Sequence, residues 1–171
     1  MRLTLIPKTN RGFTLNELMI CIAIIGILAG IAIPSYIKFR ARGFVAQATG
    51  DLKKIQRAVQ DLGHDTGRWP SKGNADEKLM AGVAAGVVVN NELWDLSVDE
   101  AGLAGTDGNY SQWQGPYYTE PFQDPWGTNY FMDHDYDMNS RRVAAVGSFG
   151  PNKCCQMSYD DDDIIVIIPA N

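Results

Sequence analysis

The sequence predicts an α+β protein in which a long N-terminal helical stem packs on a small antiparallel β-sheet head. Three observations carry that prediction. Residues 18–37 form a run of 20 without a formal charge, which at about 1.5 Å per residue makes a helix long enough for the roughly 30 Å core of a bilayer. Beyond it, Val45, Ala48, Leu52, Ile55, Val59 and Leu62 recur at spacings of 3, 4, 3, 4 and 3, the stripe of an amphipathic helix with one face to bury. The C-terminal half then offers short β-prone runs separated by turn residues.

The stem is preceded by a basic stretch, residues 1–12, which holds Arg2, Lys8 and Arg11 and no acid. A secretory signal peptide would close its apolar run with small residues at a cleavage site. Here the run ends in Pro34, Ser35 and Tyr36, with Lys38, Arg40 and Arg42 beyond, and the segment that reads as a processing site lies in front, at Arg11-Gly12-Phe13. Glu17 sits one turn inside the apolar helix. A carboxylate there costs about 2.5–3.5 kcal/mol near the bilayer centre and less near the interface, so it needs a partner or must reach the headgroups. If cleavage frees Phe13, its ammonium lies about one turn away, and the amine of a neighbouring copy can pair with Glu17 as stems slide together.

Gly12-Phe13-Thr14-Leu15-x-Glu17, followed by an apolar helix containing Gly26 and Pro34, resembles the class III signal of type IV pilins and type II secretion pseudopilins. The likeness is closest to the major pseudopilin of type II secretion. The resemblance implies a dedicated peptidase that cuts after Gly12 on the cytoplasmic side and methylates the new amine of Phe13. It implies assembly through Phe13 and Glu17 into a helical homopolymer, with minor pilins or pseudopilins and an inner-membrane assembly platform as further partners. The expected organisation is a leader over 1–12, a transmembrane and assembly helix over 13–42, and a head over 43–171 that faces the periplasm.

Past the membrane segment the helix is expected to continue to Leu62 with Gly63 as its stop, about 75 Å in all. Pro34 predicts a bend or local melting, and Gly26 and Gly30 weaken the helix further. The stripe over 45–62 is read as buried against the protein's own sheet rather than in a free coiled coil. A turn follows from His64 to Pro70. Asn74-x-x-Glu77 resembles a capping box, opening a short helix from Lys78 to about Gly86, and 101–115 reads as an irregular loop. Strands are expected at 116–118, 129–132, 142–146 and 164–168. Between the first two, Asp124-Pro125-Trp126-Gly127 predicts a tight corner with Trp126 as a core plug, and resembles the same four residues of the major pseudopilin.

Charge narrows the partners. The whole chain carries −5, and loss of the three leader cations takes it to −8; after Arg42 there are nine basic against 19 acidic residues. Such a head lacks the clustered cations that phosphate backbones require, which argues against nucleic acid as a direct partner. Neither a nucleophile with a base, a phosphate loop nor zinc spacing is present, which argues against an enzyme. Cys21 reads as a small hydrophobe in the apolar helix; Cys154 and Cys155 are adjacent, and both the bridged and the free state stay open.

Four consecutive aspartates, Asp160 to Asp163, are by composition a solvated charge run. The pseudopilin resemblance implies more: a calcium ion held between the last two strands, with Asp161 and Asp163 in its Asp-x-Asp, Ser148 in its serine position and Asn152 in place of an aspartate. Hard oxygen donors suit calcium rather than zinc. Asp133-x-Asp135-x-Asp137-x-Asn139 mimics an EF-hand start, but Met138 stands where glycine is needed and Ala144 where the glutamate belongs. These acids are read as the wet face of a hairpin. The resulting reading is a structural subunit of a type II secretion pseudopilus that drives protein export. A type IV pilin serving adhesion, motility or DNA uptake is the alternative, and a non-polymerising membrane-anchored binding protein, in which Glu17 would be a defect, is the distant one.

Overall fold

A computed structural model describes residues 12–70, 92–138, 141–156 and 160–169. The expected capping box at Asn74 and helix from Lys78 lie outside them. The chain divides into two compact units, Met1–Ala41 and Arg42–Asn171. One helix, α1 (Leu15–Thr66), contributes to both.

In the first unit α1 carries apolar side chains in every direction and buries none of them; Leu18, Ile22, Ile25, Leu28, Ile31 and Tyr36 are all exposed. The expectation of local melting at Pro34 is not met. The proline removes one donor, but the helix continues through it, and the Ser35 hydroxyl donates to the Ile31 carbonyl beside the gap at 3.0 Å.

In the second unit the same helix buries one face: Ala48, Leu52, Ile55, Val59 and Leu62 are sealed from solvent. Val45, expected to open that stripe, is 43% exposed and lies before it begins. The helix also passes the expected stop. Gly63 is buried within it, the Thr66 hydroxyl donates to the Leu62 carbonyl at 2.7 Å, and the chain turns at Gly67. There φ is 73° and the N–H closes on the Gly63 carbonyl at 2.8 Å, a left-handed position that glycine takes without cost.

The sheet is antiparallel and three-stranded, ordered β1 (Phe131–Met138), β2 (Arg141–Ser148), β3 (Ile164–Ile167). Tyr130, Met132, Val146, Ile164 and Val166 join the α1 side chains in the main core, with Leu96, Leu103 and Tyr118 closing it. Phe131, Tyr136, Val143, Ala145 and Phe149 form a second, smaller cluster with Trp94 and Ile165. Phe131 crosses β2 at Gly147, its register partner, where a Cβ would collide with the Phe131 ring and the Ile165 side chain. Gly147 is what lets that ring lie flat across the strand.

Two strand expectations are corrected. Residues 116–118 are no strand: the N–H groups of Tyr117 and Tyr118 both donate to one carbonyl, that of Leu103, at 2.8 and 3.1 Å, which is incompatible with a ladder. The run Asp133 to Asp137 is not a wet face throughout: Asp137 is exposed and Asp135 half-buried, but Asp133 is sealed. β1 slips its register between Asp133 and Tyr136, so two residues there, His134 and Asp135, oppose one on β2, Ala144, and strict alternation fails at the bulge. Asp133, still in register with Ala145 and on the covered face of Phe131, is fully buried, and so is His134.

Candidate functional site

The first site is the start of α1. Gly12 and Phe13 are exposed, Phe13 by 83%, so the bond between them is open to a protease. One turn on, Thr14 and Glu17 bind each other reciprocally. The Glu17 carboxylate accepts the Thr14 N–H at 2.9 Å and its hydroxyl at 2.7 Å, while the Glu17 N–H donates to the Thr14 hydroxyl at 3.2 Å. This is a capping box: it satisfies donors that the first turn of a helix leaves open and places a negative charge at the positive end of the dipole. The Thr-x-x-Glu spacing was visible in the sequence, and reading Glu17 only against an amine overlooked Thr14. Before processing, Glu17 thus has an internal partner. The helix behind it is long and apolar enough to cross a membrane by length and composition, and none of its most apolar window is buried within the protein.

The second site is the loop joining β2 to β3, where calcium was expected. Ser148 is buried and committed: its hydroxyl donates to Asp124 at 2.6 Å and accepts the Gly150 N–H at 3.0 Å. Asn152 donates to Asp160 at 2.7 Å, and its carbonyl oxygen takes the Cys154 N–H at 2.9 Å. Asp161 is exposed. Asp163 differs. Its Oδ1 is buried without a hydrogen-bond partner, while Oδ2 faces the Tyr136 hydroxyl at 3.3 Å and the Asp160 N–H at 3.4 Å. Burial pushes its carboxyl above the usual range, the Asp160 N–H opposes that, and the Asp160 and Asp162 charges add to it. Of the four expected ligands, Asp163 therefore has an orphaned oxygen for a cation to satisfy, and Ser148 and Asn152 do not. Cys154 and Cys155 form a vicinal disulfide.

Asp124 organises the neighbouring corner, a role that composition alone did not reveal. Its buried carboxylate accepts the Trp126 and Thr128 N–H groups at 3.0 and 2.9 Å, the Thr128 hydroxyl, and the Ser148 hydroxyl. The turn is thereby pinned to the end of β2. Trp126 is half-buried and meets Phe44 edge to face at 5.8 Å, so it borders the core rather than plugging it.

A third cluster escaped the sequence reading. Glu92, Asp133 and Asp135 bring carboxylate oxygens within 4.8 Å of one another, Glu92 and Asp133 being buried. Residues 92 and 133 are 41 apart in the chain, and the Leu93–Met132 bridge beside them brings them together. Asp133 also accepts the Asp135 N–H at 2.8 Å.

Residues 7–33 match the model of the prokaryotic N-terminal methylation motif. The chain is similar to the type IV major pilin protein PilA of Myxococcus xanthus, 40% identical over 60% of this chain and 51% of the relative. It is similar to the fimbrial protein EcpC of Eikenella corrodens, 40% identical over 61% of this chain and 62% of that protein. A type IV major pilin protein PilE1 of Neisseria gonorrhoeae is 41% identical over 44% of this chain and 43% of its own length. The chain thus spans roughly half the length of the curated relatives it matches. No solved structure matches it.

Proposed function

We propose, from the premise that this chain belongs to the type IV pilin superfamily, that it is the repeating subunit of a type IV pilus, drawn into a fibre through the first unit of its helix. One observation carries this: 18–37 presents apolar side chains on all sides and no charge, with a carboxylate, Glu17, immediately before it. Such a surface is stable only in lipid or among copies of itself. A peptidase cut after Gly12 frees the Phe13 amine, and Glu17 exchanges its Thr14 donors for the amine of a neighbouring subunit. The precursor sits in the inner membrane with its head in the periplasm, and an assembly platform and minor pilins handle it there. The kinship with proteins named as type IV major pilins supports a surface pilus.

The Asp124 corner favours a second reading, a type II secretion pseudopilus, because Asp124-Pro125-Trp126-Gly127 resembles the pseudopilin motif and forms a pinned turn at the sheet end. Electron microscopy of cells expressing the chain separates the two: filaments leaving the cell support the pilus, whereas fibres confined to the periplasm support the pseudopilus. In either case a calcium ion is proposed at Asp163, whose orphaned oxygen it would take, with Asp161 beside it.

A further inference from the structure

We propose that the head carries a pocket for a neutral sugar ring beside its aromatic cluster. The pocket has a volume of about 450 Å³, within the roughly 300–1,000 Å³ of small-ligand sites. Its flat wall is Trp94, half-buried and held in place by Phe131 at 5.5 Å and Phe149 at 6.0 Å. An indole fixed from one side offers a ready surface to the C–H face of a ring. The Cys154–Cys155 disulfide, compact and apolar, also lines it.

The rim supplies what the hydroxyls of such a ring need. Gln123, Asn129 and Gln156 line the pocket, and their side-chain amides make no hydrogen bond to other described residues. Each amide offers two donors and an acceptor on one group, matching hydroxyls that both donate and accept. Gln123 and Asn129 are bridged through their backbones, which sets their side chains close together. Asp95, with one oxygen engaged by Ser97, and Lys153 contribute one charge of each sign. The pocket is therefore balanced, which suits neither a phosphate nor a dication, and the acidic head repels anions generally.

The proposal stands on the head alone and does not depend on the fibre reading. The test uses the full chain in detergent micelles, with saturation-transfer NMR against glucose, galactose and N-acetylglucosamine oligosaccharides. Saturation transfer is expected to ring C–H protons at millimolar sugar. Gln123→Ala and Gln156→Ala, both at exposed positions and without side-chain hydrogen bonds among the described residues, should each weaken binding about two- to tenfold and leave melting unchanged. Trp94→Leu should abolish binding; because Trp94 also packs on Phe131, the two glutamine variants decide the matter if it fails to fold. No transfer from any neutral sugar, binding indifferent to both glutamine variants, or preference for a sugar phosphate would each overturn the assignment.

Discussion

Residues 15–41 and 42–66 belong to one helix, yet they solve opposite problems. Over 18–37 the helix is apolar on all sides and buries nothing in its own chain; from Ala48 onward it is apolar on one side and buries that side against Tyr130, Met132 and Val146. Lys54 marks the wet side of the second stretch, paired with Glu120 at 2.6 Å. The second stretch therefore belongs to the folding of the head, and the first is left free for the assembly proposed above. Mutations in the two should be separable.

The largest contrast comes from matched truncations. Leu52→Ala empties a fully buried site and should cost about 2–5 kcal/mol of head stability, read as a lower denaturant midpoint. Leu28→Ala, 61% exposed, should leave that midpoint in place and weaken only fibre formation. A midpoint that falls equally in both variants would erase the distinction. Next is Asp124→Ala. It strands the Ser148 hydroxyl and the Trp126 and Thr128 N–H groups, and should cost about 1–3 kcal/mol, with early hydrogen exchange at the corner.

A smaller effect is pH-dependent. His134 is buried, its Nε2 meets the Pro70 carbonyl at 2.8 Å, and Nδ1 has no partner. Burial lowers its pKa, against the raising influence of the Pro70 carbonyl and Asp135. The unfolded chain therefore takes up this proton at a higher pH than the folded head does. Stability is full above the unfolded value of about 6.5 and is lost as pH falls below it, by up to roughly 1.4 kcal/mol per unit until the folded value is reached. Melting curves from pH 7 to pH 5 for wild type and His134→Gln check this; the variant should flatten the slope in that window. The smallest expected effect is calcium: millimolar calcium should raise the melting temperature over chelator. Asp163→Asn should remove the response, and Asp133→Asn should keep it. The reverse pattern would move the ion to Glu92, Asp133 and Asp135.

What the sequence made legible follows from how local each signal is. The processing motif, the apolar run and the 3-4 stripe are written within a few turns of chain, and the helix and its buried face appear where they predict. The end of the helix was misplaced by four residues because two glycines compete. Gly63 stays helical and buried, and of the two only Gly67 adopts the left-handed turn. Asp133 was misread because its face of β1, shared with Phe131, is covered by Trp94, Phe149 and Ile165, which come from distant parts of the chain. The roles of Asp124 and Glu92 depend on partners 24 and 41 residues away, which no local pattern encodes.

The central claim is that Glu17 serves assembly and not the fold, and the most direct measurement is the recovery and intact mass of fibres sheared from cells expressing wild type or Glu17→Ala. Wild-type fibres should contain a chain that lacks residues 1–12 and begins at a methylated Phe13. The Glu17→Ala chain should insert, since a charge costing up to about 3 kcal/mol in lipid is gone, and its head should melt as wild type does, yet no fibres should be recovered. Normal fibres from Glu17→Ala, or wild-type fibres retaining residues 1–12, would contradict the account.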